Sequence, residues 1–491
     1  MTGDNFGNQS QAFLDWFKSL PGATFHPDIM LEDLRDRGAG RGIVATAEIA
    51  PDTVLFTIPR SRIICPATSE LPSKIPEVFA RDSQDDNDDD DDFSGPSSSS
   101  SSQDSWTSLI LVMIYEHLRG PASPWKPYLD ILPTAFDTPM FWSAPELREL
   151  QATSVASVVG RADADRMIAT KILPVIRAHA DVFFSGGQEP LSDDELASLA
   201  HRMGSTIMAY AFDLSRDDDD DEDGEQQQDG WVEDRDGRGV LGMVPMADLL
   251  NADADFNAHI NHEEGALVAT ALRRIAPGDE VLNYYGPVSN GELLRRYGYV
   301  TPRYRRWDVV ELPWALVVAR IKGQLGLGDE VWAKAEKKAD LDDVEDGFVI
   351  EWGSEDPDSM GHVDDTLEFH GLPDELAEQV KAFLKALRKV DPSGAGSRLS
   401  DSDARLGVFL ASVLGALEDR AAQYPTTLEE DMARGERENP AGRVGKALAV
   451  RVGEKVLIRE AQRWVRDKLQ ELGPTAGQSD EPAVKRQKLR R

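Results

Sequence analysis

The order of apolar and polar residues divides the chain into two parts of different periodicity. After about residue 310, apolar positions recur three and four residues apart, as in amphipathic helices. Before that point, short strand-like runs alternate with helical segments and turn residues. The pattern predicts an α+β first part with a helical insertion, followed by an all-α domain. The predicted helices cover 11–20, 106–118, 145–159, 160–180 and 192–214 in the first part, and 313–338, 373–390, 403–423 and 441–471 in the second.

The stretch 244–300 concentrates polar and aromatic residues between short apolar runs. Residues 266–272 and 280–285 have strand composition, and the turn residues at 276–279 separate them. An aspartate and an asparagine, Asp248 and Asn251, stand at the end of an otherwise apolar segment. This combination makes the stretch the candidate active site.

Two tyrosines of this stretch are predicted to meet. The capping-box residues Ser289 and Glu292 predict the start of a short helix, and Gly298 predicts its end. Such a helix returns Tyr297 to the side of Tyr285, where two phenols face one pocket. Core packing is the more frequent use of clustered aromatic residues, and residue types alone leave both interpretations open.

A glycine-rich turn at 38–42 precedes two strand-like runs, 43–47 and 54–58, which predict a strand hairpin. A dinucleotide site or a P-loop requires a helix directly after the glycines, and no Gly-Lys-Ser/Thr motif is present. The glycines therefore either allow the backbone to approach a ligand closely or only form the turn.

The formal net charge of −35 is concentrated in two tracts. Residues 82–92 carry eight Asp, and residues 217–236 carry twelve Asp or Glu against one Arg, which is −8 and −11. We predict that both tracts belong to disordered insertions, at 81–105 and 216–238. The acidic balance argues against direct nucleic-acid binding and suits a basic protein partner.

Other classes of protein are disfavoured by composition. No apolar run approaches the roughly 20 residues of a membrane helix, and the first residues lack signal-peptide character. A single cysteine, Cys65, excludes an internal disulfide framework and a cysteine-rich zinc site, and the histidines lack metal-ligand spacing. We expect no metal and an intracellular location. The basic segment at 476–491 predicts a nuclear localisation signal, hence importin binding and a nuclear protein.

Several motifs together resemble the SET-domain protein lysine methyltransferases, in particular the Rubisco large-subunit methyltransferase type. Within that type, the group of SET-domain-containing protein 6 and the fungal ribosomal lysine methyltransferases is the most similar. The motifs occur in the order of the family across most of the first 300 residues. They are GAGRGIVA at 38–45, the Trp106 helix, WKPYLDILP at 125–133, PMFW at 139–142, MAYAFD at 208–213, MVPMADLLNADADFN at 243–257, NYYG at 283–286 and RYGYV at 296–300.

The resemblance implies a β-rich SET domain with a helical insertion, followed by an all-α substrate-binding domain. It implies S-adenosylmethionine as cofactor and Tyr285 as the catalytic residue, although the division of roles with Tyr297 is open. The implied cofactor residues are Gly40, Arg41, Gly42, Tyr210, Asn251, Ala252 and Tyr297, and the implied substrate-binding residues are Trp106, Ala211 and Asp213. The implied boundaries are 1–80, 106–215 and 239–305 for the SET domain, 306–475 for the helical domain, and the insertions and tail given above.

One position departs from the family pattern. Many SET enzymes have histidine after the asparagine, whereas this chain has Ala252. Cofactor binding survives if this position acts through its backbone. The expected function is methylation of a lysine in a protein substrate, a basic ribosomal protein if the fungal branch applies. A non-catalytic SET scaffold that recruits partners and an acidic chaperone for basic proteins remain as alternatives.

Overall fold

The computed structural model describes residues 4–79, 105–186, 189–214, 240–339, 344–364 and 366–473. The predicted acidic insertions at 81–105 and 216–238 lie outside these residues, apart from Ser105. The predicted basic tail at 476–491 also lies outside them. The expectations attached to these segments stay predictions.

The strands of the N-terminal part are short and antiparallel. They are β1 (Thr24–Phe25), β2 (Ile29–Asp33), β3 (Arg41–Ala45), β4 (Val54–Pro59), β5 (Ala211–Asp213), β6 (Leu241–Met243), β7 (Ala258–His262) and β8 (Ala266–Ala271). The largest sheet has the order β1-β4-β8-β7, and two smaller sheets pair β2 with β3 and β5 with β6. Asn251 lies in the segment between β6 and β7.

The helices of the N-terminal part connect these sheets. They are α1 (Asp4–Ser19), α2 (Leu71–Lys74), α3 (Pro76–Phe79), α4 (Ser105–Leu118), α5 (Lys126–Leu129), α6 (Ala144–Leu147), α7 (Arg161–Met167), α8 (Leu173–Ala178), α9 (Ala180–Phe183), α10 (Asp193–Tyr210) and α11 (Asn290–Tyr297). Helix α10 begins at the predicted capping box, in which Ser192 Oγ accepts from Glu195 N and the Glu195 carboxylate accepts from Ser192 N.

The C-terminal part is helical, with one small sheet at its start. Its elements are β9 (Val309–Pro313), α12 (Trp314–Leu325), α13 (Asp329–Ala339), β10 (Gly347–Glu351), α14 (Asp374–Val390), α15 (Ser402–Ala422), α16 (Leu428–Gly435) and α17 (Arg443–Glu471). The helices predicted over 373–390, 403–423 and 441–471 are confirmed to within a few residues, whereas the segment 313–338 forms two helices, α12 and α13, separated at the left-handed Gly326, and α16 was not predicted. The antiparallel pair of β9 and β10 was not predicted. Its buried residues alternate over only two positions in each strand, which is too short a pattern to stand out from a loop.

Each part has its own apolar core, and a smaller cluster joins them. The first core extends from Phe13 to Val281, and the second from Val310 to Val465. In the joining cluster, Leu294 of α11 is buried with Ala447 and Val450 of α17 and with Trp142. The last long helix therefore supports the short helix that carries Tyr297.

The predicted helix over 145–159 is wrong. Only α6 and short 3-10 turns form there, because Ala152 adopts a left-handed backbone with φ 67° that a right-handed helix does not tolerate.

The predicted strand over 280–285 is also wrong. Glu280 forms a single bridge to Val44, and Asn283 forms a single bridge to Ala252. A continuous ladder is absent because the two ends of the segment pair with different partners on different elements.

The predicted hairpin of 43–47 with 54–58 does not form, because each strand pairs with other strands. Strand β3 pairs with β2 across the glycine-rich turn, whereas β4 joins β1 and β8 in the larger sheet. The turn therefore connects β2 to β3, and it lies beside the candidate site.

Among the described residues, no helix combines the length and the apolar character needed to cross a membrane.

Candidate active site

Asn251 joins the glycine-rich turn to the segment that precedes Tyr285. Its Nδ2 donates to the carbonyl oxygen of Arg41 at 3.2 Å and to Glu280 Oε1 at 2.6 Å. Gly42 lies against the same group. A Cβ at Gly42 would overlap Leu34 Cδ1 and would lie 2.8 Å from Glu280 Oε1 and 3.1 Å from Asn251 Nδ2. Gly42 is thus required by close packing against the protein's own side chains, a reason that the sequence did not suggest.

The side chain of Arg41 is held by the N-terminal helix. Its Nε donates to Ser10 Oγ and one terminal nitrogen donates to the carbonyl oxygen of Ile131, both at 2.9 Å. The guanidinium lies 3.8 Å from the ring centroid of Phe6. Its neighbour Gly40 is exposed, and a Cβ there would meet no atom within 4 Å. Gly40 therefore leaves open space beside the joint between Gly42 and Asn251.

The backbone is strained just before Asn251. Met246 is buried and has φ 84° and ψ −41°, a sparsely populated conformation for a residue with a side chain. It begins the 3-10 turn Ala247–Leu249, in which Asp248 is buried. Tyr128 donates to Asp248 Oδ2 at 2.6 Å, while Asp248 Oδ1 has no hydrogen-bond partner within the described part of the chain. Burial raises the pKa of Asp248 to about 7.

Tyr285 and Tyr297 lie together, as the sequence predicts. Their ring centroids are 4.6 Å apart with an interplanar angle of 26°. Helix α11 begins at Ser289, whose side chain accepts from Glu292 N at 3.2 Å, and ends at the left-handed Gly298. The predicted reciprocal capping box is incomplete, because the Glu292 carboxylate instead accepts from neighbouring arginines of α11.

The hydroxyl of Tyr285 points at the segment that contains Asn251. It donates to the carbonyl oxygen of Leu250 at 3.0 Å, and the backbone N–H of Tyr285 donates to Tyr304 Oη at 3.4 Å. Tyr285 is 4% exposed. Burial raises the pKa of Tyr285 well above its usual value and also raises that of Tyr297. Both phenols therefore stay protonated at neutral pH, so they act as hydrogen-bond groups and not as bases.

Ala252 is held through its backbone neighbours. Asn283 N donates to the carbonyl oxygen of Asn251 at 2.9 Å, and Asp253 N donates to the carbonyl oxygen of Asn283 at 3.2 Å. The main chain at Ala252 is fixed without help from a side chain at this position. This arrangement suits a role for Ala252 through its backbone, which stays a prediction.

The other predicted residues lie along the edge of this site or at a distance from it. Tyr210 ends α10, and burial raises its pKa to about 12. Ala211 and Asp213 belong to β5 and pair with Met243 and Leu241 of β6. Trp106 lies at the start of α4 and packs against the first core, as do Tyr210 and Ala211. Their predicted roles in binding stay predictions.

Three polar residues of the site received no role from the sequence, although Asp248 was singled out there as a carboxylate of the candidate stretch. Glu280 accepts from Asn251, and burial raises its pKa. Asp248 and Tyr304 bind Tyr128 and the backbone of Tyr285. Only Asp248 had a local signal, since it stands three residues before Asn251 within an apolar segment. The others depend on partners far away in the chain.

The arrangement can bind and orient a ligand, but it has no acid–base pair of the hydrolase type. Neutral phenols, an amide and backbone carbonyl groups converge, while the described residues contain no group of three or more His, Cys, Asp or Glu side chains able to hold a metal ion. Such a site acts by positioning and by excluding water.

Comparison with known proteins agrees with this geometry. The SET domain family model matches residues 40–286, which is half of the chain. Ribosomal lysine N-methyltransferase 4 of Saccharomyces cerevisiae is 30% identical over 323 residues, covering 65% of this chain and 61% of the yeast protein. N-lysine methyltransferase SETD6 of Mus musculus is 27% identical over 307 residues, covering 61% of this chain and 56% of the mouse protein. The chain thus matches less than two thirds of the length of either relative.

Solved structures share the fold over nearly the whole chain. The SET domain of LSMT bound to lysine and AdoHcy has a TM-score of 0.62 at 19% identity, covering 96% of this chain and 93% of that one. Rubisco LSMT bound to AdoMet has a TM-score of 0.60 at 20% identity, covering 95% and 93%. The predicted α+β fold class, with a helical C-terminal region, is confirmed. With its family model matched from the glycine-rich turn to Tyr285, the chain belongs to the SET domain family.

Proposed function

We propose that this protein is an S-adenosylmethionine-dependent protein-lysine N-methyltransferase. The observation that carries the proposal is the stacked pair of Tyr285 and Tyr297, with the Tyr285 hydroxyl directed at the carbonyl oxygen of Leu250 beside Asn251. Membership of the SET domain family supports it, as do the names of the yeast and mouse relatives.

The residues present fit the cofactor. The open space at the exposed Gly40 leaves the backbone of the turn accessible to a ligand there. Asn251 and the backbone of Ala252 would hold S-adenosylmethionine together with Arg41, Tyr210 and Tyr297. When bound, this sulfonium compound supplies an electrophilic methyl group.

The tyrosines would prepare the lysine for its reaction. Methyl transfer needs a neutral amine. Because pH 7 is about 3.4 units below the pKa of a free lysine, deprotonation of its amine at this pH costs roughly 4.6 kcal/mol. A buried, aromatic surrounding lowers the pKa of an amine that enters it. Because burial keeps Tyr285 protonated, its Oη can accept from the amine N–H and align the lone pair without taking the proton.

Replacement of the Tyr285 hydroxyl tests the proposal. We expect Tyr285→Phe to reduce kcat for methylation by about 100-fold, with the dissociation constant of labelled cofactor changed less than about threefold. Tyr115→Phe is the matched control, because Tyr115 is equally buried but packs edge-on against Phe183 in the first core. Methylation by Tyr285→Phe at the wild-type rate would remove the catalytic role of Tyr285.

For the substrate, we propose a lysine of a basic large-subunit ribosomal protein. The support is the name of the yeast relative and the net charge of −35, which favours encounter with a basic protein. The test is incubation of the purified chain and labelled cofactor with lysate of a strain that lacks this protein, followed by identification of the labelled band. Label on non-ribosomal proteins alone would contradict the proposal.

We also propose nuclear import through the basic segment at 476–491. The support is its composition, since Lys485, Arg486, Lys488, Arg490 and Arg491 follow an acidic body. A fluorescent fusion should concentrate in the nucleus and should lose this distribution when these five residues become alanine. An unchanged distribution of the substituted fusion would overturn the assignment.

A further inference from the structure

The outer edge of β10 has no strand partner among the described residues. In the small sheet, β10 pairs only with β9. The carbonyl oxygen of Asp346 accepts from Trp314 N at 2.8 Å, so even-numbered residues turn their backbone groups toward β9. Gly347, Val349 and Glu351 therefore present their N–H and C=O groups to the opposite edge.

Both ends of this edge are closed by the chain itself. At one end, the amide of Gln379 pairs with the backbone of Glu345: Oε1 accepts from its N–H at 2.9 Å and Nε2 donates to its C=O at 3.1 Å. At the other end, Gly353 N donates to the carbonyl oxygen of Glu368 at 2.9 Å. The open edge between them has the length of one short strand.

A groove of about 610 Å³ runs along this edge, between β10 and the start of α14. Its rim carries four carboxylates, from Glu345 just before β10, from Glu351 on β10 and from Asp374 and Glu375 on α14, and no Lys or Arg lines it. None of the four pairs with a Lys or Arg side chain in the part of the chain that the structure describes. Between them Val349 is 50% exposed.

One residue of the groove, Trp352, has a buried hydrogen-bond donor. Trp352 lines the groove and is 7% exposed, and its indole Nε1 has no hydrogen-bond partner among the described residues. Exposed edge strands are normally protected by charged side chains, by proline or by a bulge. Strand β10 has no lysine, proline or bulge, and its exposed valine lies between acidic side chains, which repel an acidic strand and attract a basic one.

We propose that this groove binds an extended, Lys- and Arg-rich segment of a protein partner, which adds to β10 as a third strand. Main-chain hydrogen bonds to Gly347, Val349 and Glu351 hold the segment, as in other cases of strand addition. The four carboxylates select alternate basic side chains, whose aliphatic stems cover Val349. The inference rests on the proposed function, for which the bound segment is a second contact with the substrate protein.

The groove is connected to the tyrosine pair by a single loop. Directly after Trp352, Ser354 Oγ donates to the carbonyl oxygen of Arg306 at 2.8 Å. Further along, a Cβ at Gly361 would overlap the backbone of Phe256, whose ring stacks on Tyr284 at 4.9 Å. The loop after β10 therefore links the groove to the segment that carries Tyr284 and its neighbour Tyr285.

Binding of a labelled peptide tests the proposal without any catalytic step. The probe is a fluorescein-labelled nonapeptide of alternating lysine and valine, and its neutral counterpart has glutamine in place of lysine. We expect the full chain to bind the basic probe at least tenfold more tightly than the neutral one, with affinity that falls as salt rises.

Two variants address the edge and the charge separately. Val349→Pro removes an N–H that faces away from β9, and the double variant Glu351→Lys, Glu375→Lys reverses part of the rim. Each variant should bind the basic probe at least tenfold more weakly than the wild type does. The matched control is Glu336→Lys, Glu436→Lys, which changes the net charge equally at exposed sites elsewhere and should change affinity less than twofold.

Each other outcome overturns the proposal. Equal affinity for the two probes would show that the basic side chains are not recognised. An equal loss of affinity in the control variant would show that net charge alone governs binding. Tenfold tighter probe binding by Lys485→Ala, Arg486→Ala, Lys488→Ala would make the basic tail of this chain the occupant, and not a partner.

The proposed function is tested separately. Tyr285→Phe should bind the probe as the wild type does. If the wild type binds the probe but transfers no methyl group, the proposed function is contradicted and the proposal for the groove stands. If the wild type transfers methyl groups but both groove variants bind the probe as the wild type does, only the proposal for the groove is contradicted.

Discussion

Asn251 Nδ2 donates to the carbonyl oxygen of Arg41 at 3.2 Å, which joins two residues 210 positions apart in the chain. The same amide donates to Glu280, so three distant segments meet at one side chain. This joint fixes the glycine-rich turn beside the segment that leads to Tyr285. The order of the site therefore depends on a small number of polar contacts.

Removal of the Asn251 amide should loosen this joint. Asn251→Ala leaves the buried Glu280 carboxylate without its donor, and we expect a loss of about 1–3 kcal/mol of unfolding free energy in urea. Binding of labelled cofactor should weaken at least tenfold. The control is Asn261→Ala, whose amide bonds only across an exposed strand pair. Equal effects of the two variants would contradict the role given to Asn251.

The packing at Gly42 predicts a difference between two neighbouring glycines. Gly42→Ala forces a methyl group against Leu34 and Glu280, and we expect about 1–3 kcal/mol of destabilisation. Gly40→Ala meets no atom within 4 Å and should change unfolding free energy by less than about 0.5 kcal/mol. Denaturant titration of both variants measures the difference. Equal stability of the two would show that the turn adjusts freely.

The hydroxyl of Tyr299 is buried without a hydrogen-bond partner among the described residues. Tyr299→Phe removes this hydroxyl, so we expect unchanged stability or a gain of up to about 1 kcal/mol. Tyr304→Phe is the comparison, because its hydroxyl accepts from Tyr285 N, and it should lose about 1 kcal/mol. Thermal unfolding of both variants checks the prediction. A destabilised Tyr299→Phe would mean that its hydroxyl is used.

Burial of Asp308 predicts a pH-dependent stability. Asp308 Oδ1 accepts from Asn290 N at 2.9 Å at the start of α11, and burial raises the pKa of this carboxyl to about 7. Well below pH 4 the group is neutral in the folded and unfolded states. As the pH rises toward 7, the carboxyl ionises in the unfolded state before it ionises in the folded state. The free energy of unfolding therefore falls over this range.

An amide at this position should remove that dependence. The advantage in unfolding free energy of Asp308→Asn over the wild type should grow between pH 4 and pH 7 and stay constant above, with a slope below about 1.4 kcal/mol per pH unit. Asp356→Asn in an exposed loop should show no such trend. An advantage that shrinks as pH rises would contradict the raised pKa.

Local signals in the sequence predicted those features that depend on neighbouring residues. Gly298 predicted the end of α11, and with it the meeting of Tyr297 and Tyr285. Periodicity predicted α14, α15 and α17, because each buries a broad apolar face. These predictions need only residues within a few turns of one another.

Features that depend on distant partners were missed. Glu280 was assigned to a strand, but it forms only a single bridge, to Val44 of β3. Its side chain accepts from Asn251, which lies 29 residues earlier in the chain. Ala152 gave no sign that it would adopt a left-handed backbone and end a helix. The pairing of β9 with β10 spans a helical pair, which no local pattern records.

The packing of α17 on α11 has a consequence for synthesis of the protein. Leu294 is buried against Ala447 and Val450, so the helix that carries Tyr297 gains its support only after residues 443–471 have left the ribosome. At 5–20 residues per second, this delay is on the order of ten seconds. During that interval the nascent chain holds the tyrosine pair without the support of α17, and the candidate site is complete only when this helix has packed against α11.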